Sequence, residues 1–135
     1  MILSNLLATL PDFLAYGASA VVLMAAFVYI YTAITPHQEF ALIKAGNVAA
    51  SISLSGALIG FVLALASVIR HSVSLIDMLV WGVIALIVQL LAYFSVRLAL
   101  PAISQGIEEG NVSKAILLAS TAISFGLINA ACMVY

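Results

Sequence analysis

Charge is what this chain has least of. Among 135 residues there are four Lys or Arg and five Asp or Glu. That is 7% of the chain, against about 25% in a soluble domain. With a net charge of −1 and no basic cluster, there is no footprint for nucleic acid. Cys132 is the only cysteine, which excludes an intrachain disulfide and a paired-cysteine metal site. The two histidines, His37 and His71, fall in different connections. Phosphate-binding glycine loops, nucleophile elbows and metalloprotease helices are all missing. No catalytic residue, cofactor or metal is therefore expected. Runs of alternating polarity are also absent, which argues against a membrane β-barrel. No Lys or Arg precedes Lys44, so the first apolar stretch lacks the basic flank of a secretory signal and is expected to be retained.

What is present is apolar length. Hydrophobic residues make up 66% of the chain, more than a domain of this size could hide from water. Charges and turn signals cut the sequence into four spans, Asp12–Ile34, Val48–Ile69, Leu75–Leu98 and Val112–Val134. Each approaches or exceeds the roughly 20 residues that cross a hydrocarbon core as helix. The expected fold is an all-α membrane protein, one integral membrane domain over residues 1–135.

The spans come in pairs. Thr9-Leu-Pro-Asp12 is echoed by Ser74-Leu-Ile-Asp77, Pro36 by Pro101, and Gly46-Asn47-Val48 by Gly110-Asn111-Val112. This predicts two parallel two-helix repeats, 9–70 and 74–135, each with a short cytoplasmic interfacial helix. Thr9/Asp12 and Ser74/Asp77 fit capping boxes. Thr35 as cap, Pro36 at N1 and Gln38 at N3 predict the first short helix, with Phe40 and Ile43 as its apolar side and Glu39 and Lys44 polar. Ile103 and Ile107, with Glu108 and Glu109, do the same in the second. Asn47 is expected to cap the crossing that follows. Tyr16 and Trp81 at one level, and Tyr29, Tyr31, Tyr93 and Phe94 at the other, read as aromatic belts. Lys44, Arg97 and Lys114 lie on one side and Arg70 on the other, which places both termini outside.

Few polar residues fall inside the spans. Gln89 and Asn129 sit at depths too different to bond each other, and Ser55 and Ser120 lie near the level of Gln89. These four form the candidate intramembrane polar site. Gly56-x-x-x-Gly60 and the Ala122/Gly126/Ala130 row are ridges suited to close helix packing, within one subunit or between two. Arg97, Lys44, Glu39, Glu108 and Glu109 are candidate contacts to headgroups or a cytoplasmic partner. His37 with these glutamates could hold a cation, although a solvated charged face explains them more simply.

Taken together, Ile34-Thr-Pro-His37 with Glu39, Asn47 with Ala49-Ala-Ser51, Trp81-Gly82, Gln89-Leu-Leu91, Val96-Arg-Leu98 and Asn129-Ala-Ala-Cys-Met133 resemble the YjfL-like bacterial inner-membrane proteins. That family is a domain of unknown function. The resemblance implies multi-pass inner-membrane location and association with membrane-remodelling, phage-shock-type proteins, and supplies no activity. The expected function is a non-enzymatic, homo-oligomeric membrane scaffold in envelope homeostasis. The competing one is a small channel or transporter with its pore at a subunit or repeat interface. Any site is expected where the second copy departs from the first: Gln89 opposite Met24, Arg97 opposite Thr32, Asn129 opposite Leu65.

Overall fold

A computed structural model describes residues 2–133. Six helices follow in order: α1 (Ile2–Ile34), α2 (Glu39–Lys44), α3 (Val48–His71), α4 (Leu75–Ala99), α5 (Ile103–Glu108) and α6 (Val112–Cys132). No strand occurs among the described residues. α1, α3, α4 and α6 are long and apolar enough to cross a membrane. The fourth span closes at Cys132; Val134, the last residue of the predicted segment, lies outside the described residues.

α3 and α6 form the central pair, and small residues explain why. A Cβ added at Gly56 would overlap Ala119, one at Gly60 the carbonyl of Ala122, and one at Gly126 the carbonyl of Gly60. The two backbones are therefore in direct contact. Without water to drive association in lipid, such van der Waals fit holds helices together. Contacts rise together along both chains. Gly56 of α3 faces Ala119 of α6, and further along Ser67 of α3 donates to Ala130 O of α6 at 3.1 Å. α3 and α6 thus run parallel. The Gly56/Gly60 and Ala122/Gly126 ridges are consumed within the subunit.

The two connections entering this pair have the same turn. Gly46 N bonds Ile43 O and Asn47 N bonds Leu42 O; Gly110 N bonds Ile107 O and Asn111 N bonds Gly106 O. Both are Schellman closures, and both glycines have positive φ, 87° and 80°. Each asparagine then caps the next helix, Asn47 accepting from Ala50 N and Asn111 from Lys114 N. Asn47 alone also ties its turn to α5, by donating to Ile107 O and to Glu108 O. Asn111→Ala should therefore cost about 1 kcal/mol, an ordinary N-cap loss. Asn47→Ala should cost about 1 kcal/mol more for the added hydrogen bonds. Chemical unfolding in mixed micelles, followed by circular dichroism, reads the difference.

The outer helices are less covered. α1 packs Leu23 onto Gly82 of α4, Phe27 flat on Phe61 of α3 at 4.7 Å, and Tyr31 edge-on against Tyr93 of α4 at 5.5 Å. At 33 residues it is about 50 Å long, well beyond a ~30 Å hydrocarbon core. Its residues Ile2 to Leu14 are exposed, because they run past the first turn of α4.

Several expectations are corrected. α1 does not begin at a Thr9/Asp12 box. The helix is continuous through Pro11, and the Thr9 hydroxyl bonds back to Asn5 O and Leu6 O. The leucine-rich run before Pro11 favours helix, and an apolar solvent demands internal backbone hydrogen bonds. At Ser74/Asp77 the cap does form: Ser74 Oγ accepts from Asp77 N, while Asp77 Oδ2 accepts from Val73 N, one residue before the N-cap. α2 starts at Glu39, with Gln38 rather than Thr35 at the N-cap position. Its buried residue is Glu39, which the sequence pattern places on the polar side. Tyr31 and Tyr93 belong to the core instead of an aromatic belt, each only 1% exposed; Tyr29 and Phe94 remain on the surface.

Candidate functional site: a buried polar cluster between α1 and α2

The end of α1, the four-residue link and the first turn of α2 gather four polar side chains away from solvent. Tyr31, Thr35, His37 and Glu39 are all buried. Pro36 halts α1, and the link turns the chain back against the bundle. Glu39, at the first position of α2, takes the inward slot that Ile103 takes at the first position of α5. Both residues are 1% exposed or less.

The Thr35 hydroxyl donates to Glu39 Oε1. His37 Nε2 lies 3.2 Å from the same oxygen, with both side chains fully covered. Yet neither ring nitrogen of His37 has a hydrogen-bond partner, and Glu39 Oε2 and the Tyr31 hydroxyl have none either. The Tyr31 ring packs edge-on against Tyr93, and Tyr93 in turn reaches Ser104 of α5 at 3.4 Å. A carboxylate removed from water costs several kcal/mol unless paired. The one fully buried carboxylate among the described residues lies beside an imidazole. Glu39 also borders a cleft of about 250 Å³ with Thr32, Gln38, Phe40 and Ala41.

The four intramembrane candidates do not come together. Gln89 is buried, and its Nε2 donates to Ala57 O on α3 at 3.3 Å and Ala122 O on α6 at 3.1 Å. It bridges from α4 to the central pair through backbone carbonyls, not through Ser55 or Ser120. Both serines are exposed. Ser120 bonds back to Ile116 O of its own helix, which satisfies a hydroxyl facing lipid. Asn129 is half-buried, and its Nδ2 has no partner. Because the Gln89 Oε1 is also unpartnered, Gln89→Leu removes a costly buried oxygen along with two weak bonds. The expected loss is about 1 kcal/mol or less, measured by thermal unfolding in detergent.

Of the surface candidates, Arg97, Lys44, Glu108 and Glu109 are exposed at the α2/α5 end, and Glu39 is not. Glu109 accepts from Gln105 Nε2 at 3.3 Å. Arg97 forms no ion pair with these glutamates among the described residues. Glu39 was readable as a candidate, but its burial with His37, Thr35 and Tyr31 was not. The available signal was the register of the second short helix, where Ile103 occupies the equivalent position.

A four-helix bundle with an uncovered apolar exterior and a parallel, glycine-sealed central pair is a multi-pass membrane protein. Comparison with known proteins gives the particular lineage. Residues 5–133 match the family described as Domain of Unknown Function (DUF350), and the chain belongs to that family. It is 42% identical over 131 residues to the UPF0719 inner membrane protein YjfL of Escherichia coli K12, covering 97% of this chain and 99% of that one. It is 29% identical over 122 residues to the UPF0719 transmembrane protein YshE of Bacillus subtilis, covering 87% and 88%. No solved structure matches. Four apolar helices together with these relatives make it a multi-pass inner-membrane protein.

Proposed function

We propose that the protein is a non-enzymatic membrane scaffold that assembles as a homo-oligomer and receives a cytoplasmic partner on its α2/α5 face. The observation that carries this reading is the distribution of exposed polarity. Arg97, Lys44, Glu108 and Glu109 are exposed around one end of the bundle. Between the two Schellman turns there, a cleft of about 500 Å³ is lined by Leu42, Asn47, Val48, Glu108, Glu109 and Val112. Inside the spans, by contrast, Gln89 is engaged with backbone and the α6 hydroxyls with their own helix. With three of the four Lys and Arg at that end, the positive-inside rule makes it cytoplasmic and puts both termini outside. The matching turns and the parallel α3 and α6 support a duplicated unit spanning 9–70 and 74–135. The partner class we favour is a membrane-remodelling protein of the phage-shock type, working in envelope homeostasis on the lipid bilayer.

A channel is the second reading, favoured by the exposed hydroxyls Ser55, Ser120 and Ser124. Its pore would run between subunits, since glycine contacts close the α3–α6 seam. Flux assays on proteoliposomes, with oligomer mass measured on the same preparation, separate the two. The scaffold reading expects an oligomer without ion or small-solute flux. Solute flux that Ser120→Leu abolishes would replace it with the channel. Exposed Cys132 supplies the topology check: an impermeant thiol reagent should label it from outside.

A further inference from the structure

The His37–Glu39 contact has the spacing of a hydrogen bond without the geometry of one. Nε2 and Oε1 are 3.2 Å apart, yet Nε2 lacks a hydrogen-bond partner. The ring edge is therefore not directed at the carboxylate. Two donors held about 2.0–2.1 Å from one tetrahedral ion lie roughly 3.3 Å apart, which is the separation found here. Three further polar features point the same way. Glu39 Oε2 and the Tyr31 hydroxyl are buried and unpartnered, and Thr35 fixes the carboxylate by donating to Oε1. Orphaned polar atoms in a buried cluster call for a ligand or water to complete them.

We propose that Tyr31, His37 and Glu39 form a binding site for one zinc-class divalent cation, reached through the cleft beside Glu39 and Gln38. An imidazole nitrogen and a carboxylate suit borderline ions such as Zn²⁺, and the buried Tyr31 hydroxyl is free of other partners. Calcium requires six to eight oxygens and magnesium a hydrated octahedron, and a covered pocket with one carboxylate offers neither. Among the described residues no three His, Cys, Asp or Glu side chains cluster. The site thus has two strong donors, with Tyr31 and a water to complete four. Thr35 holds Glu39 in place, the outer role that orients a ligating carboxylate. The inference does not depend on the scaffold reading.

The experiment titrates tag-free protein in detergent with Co²⁺ as a visible probe. The expected result is one Co²⁺ per chain with the strong visible bands of four-coordination, displaced by Zn²⁺. His37→Gln and Glu39→Gln should each weaken binding about tenfold or more, and His71→Ala should leave it unchanged. Circular dichroism checks that each variant stays helical. X-ray absorption of the Zn²⁺-loaded wild type decides independently of any variant, with one imidazole in an N/O shell expected. No saturable one-per-chain binding, a shell containing sulfur or no imidazole, or undiminished binding in a folded His37→Gln/Glu39→Gln protein would overturn the proposal.

Discussion

Gly126→Leu is expected to prevent α3 and α6 from docking, leaving a protein that inserts but does not reach its native packing. A Cβ at Gly126 already overlaps the Gly60 carbonyl oxygen and carbon. Those are backbone atoms of a helix, so no side-chain rotation relieves the clash. The helices must separate, and separation opens the Gly56–Ala119 and Gly60–Ala122 contacts on the same seam. It also stretches the Gln89 bridge, because that amide spans Ala57 O and Ala122 O. Overpacking a tight core costs about 1–3 kcal/mol. The linked losses here put leucine above that range, and alanine at the same position within it. Gly17 is the control, since a Cβ there meets nothing within 4 Å. Gly17→Ala should be neutral or stabilise by up to about 1 kcal/mol, the helix-propensity gain. Unfolding in mixed micelles followed by circular dichroism measures all three. Gly126→Leu unfolding at the wild-type midpoint would mean that the seam is not closed as described.

The positions of the spans were legible because lipid imposes a length rule that needs no tertiary information. The Gly-Asn turns were legible for a similar reason. Positive φ at Gly46 and Gly110 and the caps at Asn47 and Asn111 are local requirements, visible in the residue types themselves. Where the reading failed, local chemistry did not decide. The Thr9/Asp12 pattern matches a capping box as well as Ser74/Asp77 does, but only Ser74 follows a real break, at the α3–α4 turn. In an almost uniformly apolar chain, polarity cannot tell a lipid-facing side from a buried one. Tyr31 and Tyr93 therefore read as interfacial, and Glu39 as part of the polar side of α2.

Among the second copy's departures, Gln89 is a packing bridge, Arg97 is exposed and Asn129 is half-buried. The polar cluster lies in the first copy's own departures. Glu39 occupies the slot of Ile103, and Thr35 stands where the second copy has Leu100. An apolar residue serves that slot in one half of the chain, so structure alone does not demand a carboxylate in the other. This contrast marks the cluster as a functional candidate.

The same contrast sets up the second large effect. In metal-free buffer, His37→Ala should destabilise the protein by about 3–5 kcal/mol, because it leaves Glu39 as an uncompensated buried carboxylate. The double variant His37→Ala/Glu39→Ile should lie much closer to wild type, within about 1–2 kcal/mol. It removes both partners and installs the residue that the equivalent slot of α5 already holds. Thr35 would not be stranded, since its hydroxyl also reaches Thr32 O at 3.3 Å. Glu39→Ile alone should fall between them, because the His37 ring nitrogens remain buried and unpaired. The ordering is the informative part, because a purely steric account would make the double variant the worst of the three. Unfolding midpoints in mixed micelles, measured with a chelator present, supply the cycle. If the double variant is as unstable as His37→Ala, the burden is not an unpaired charge, and the link between α1 and α2 tolerates its histidine for shape instead.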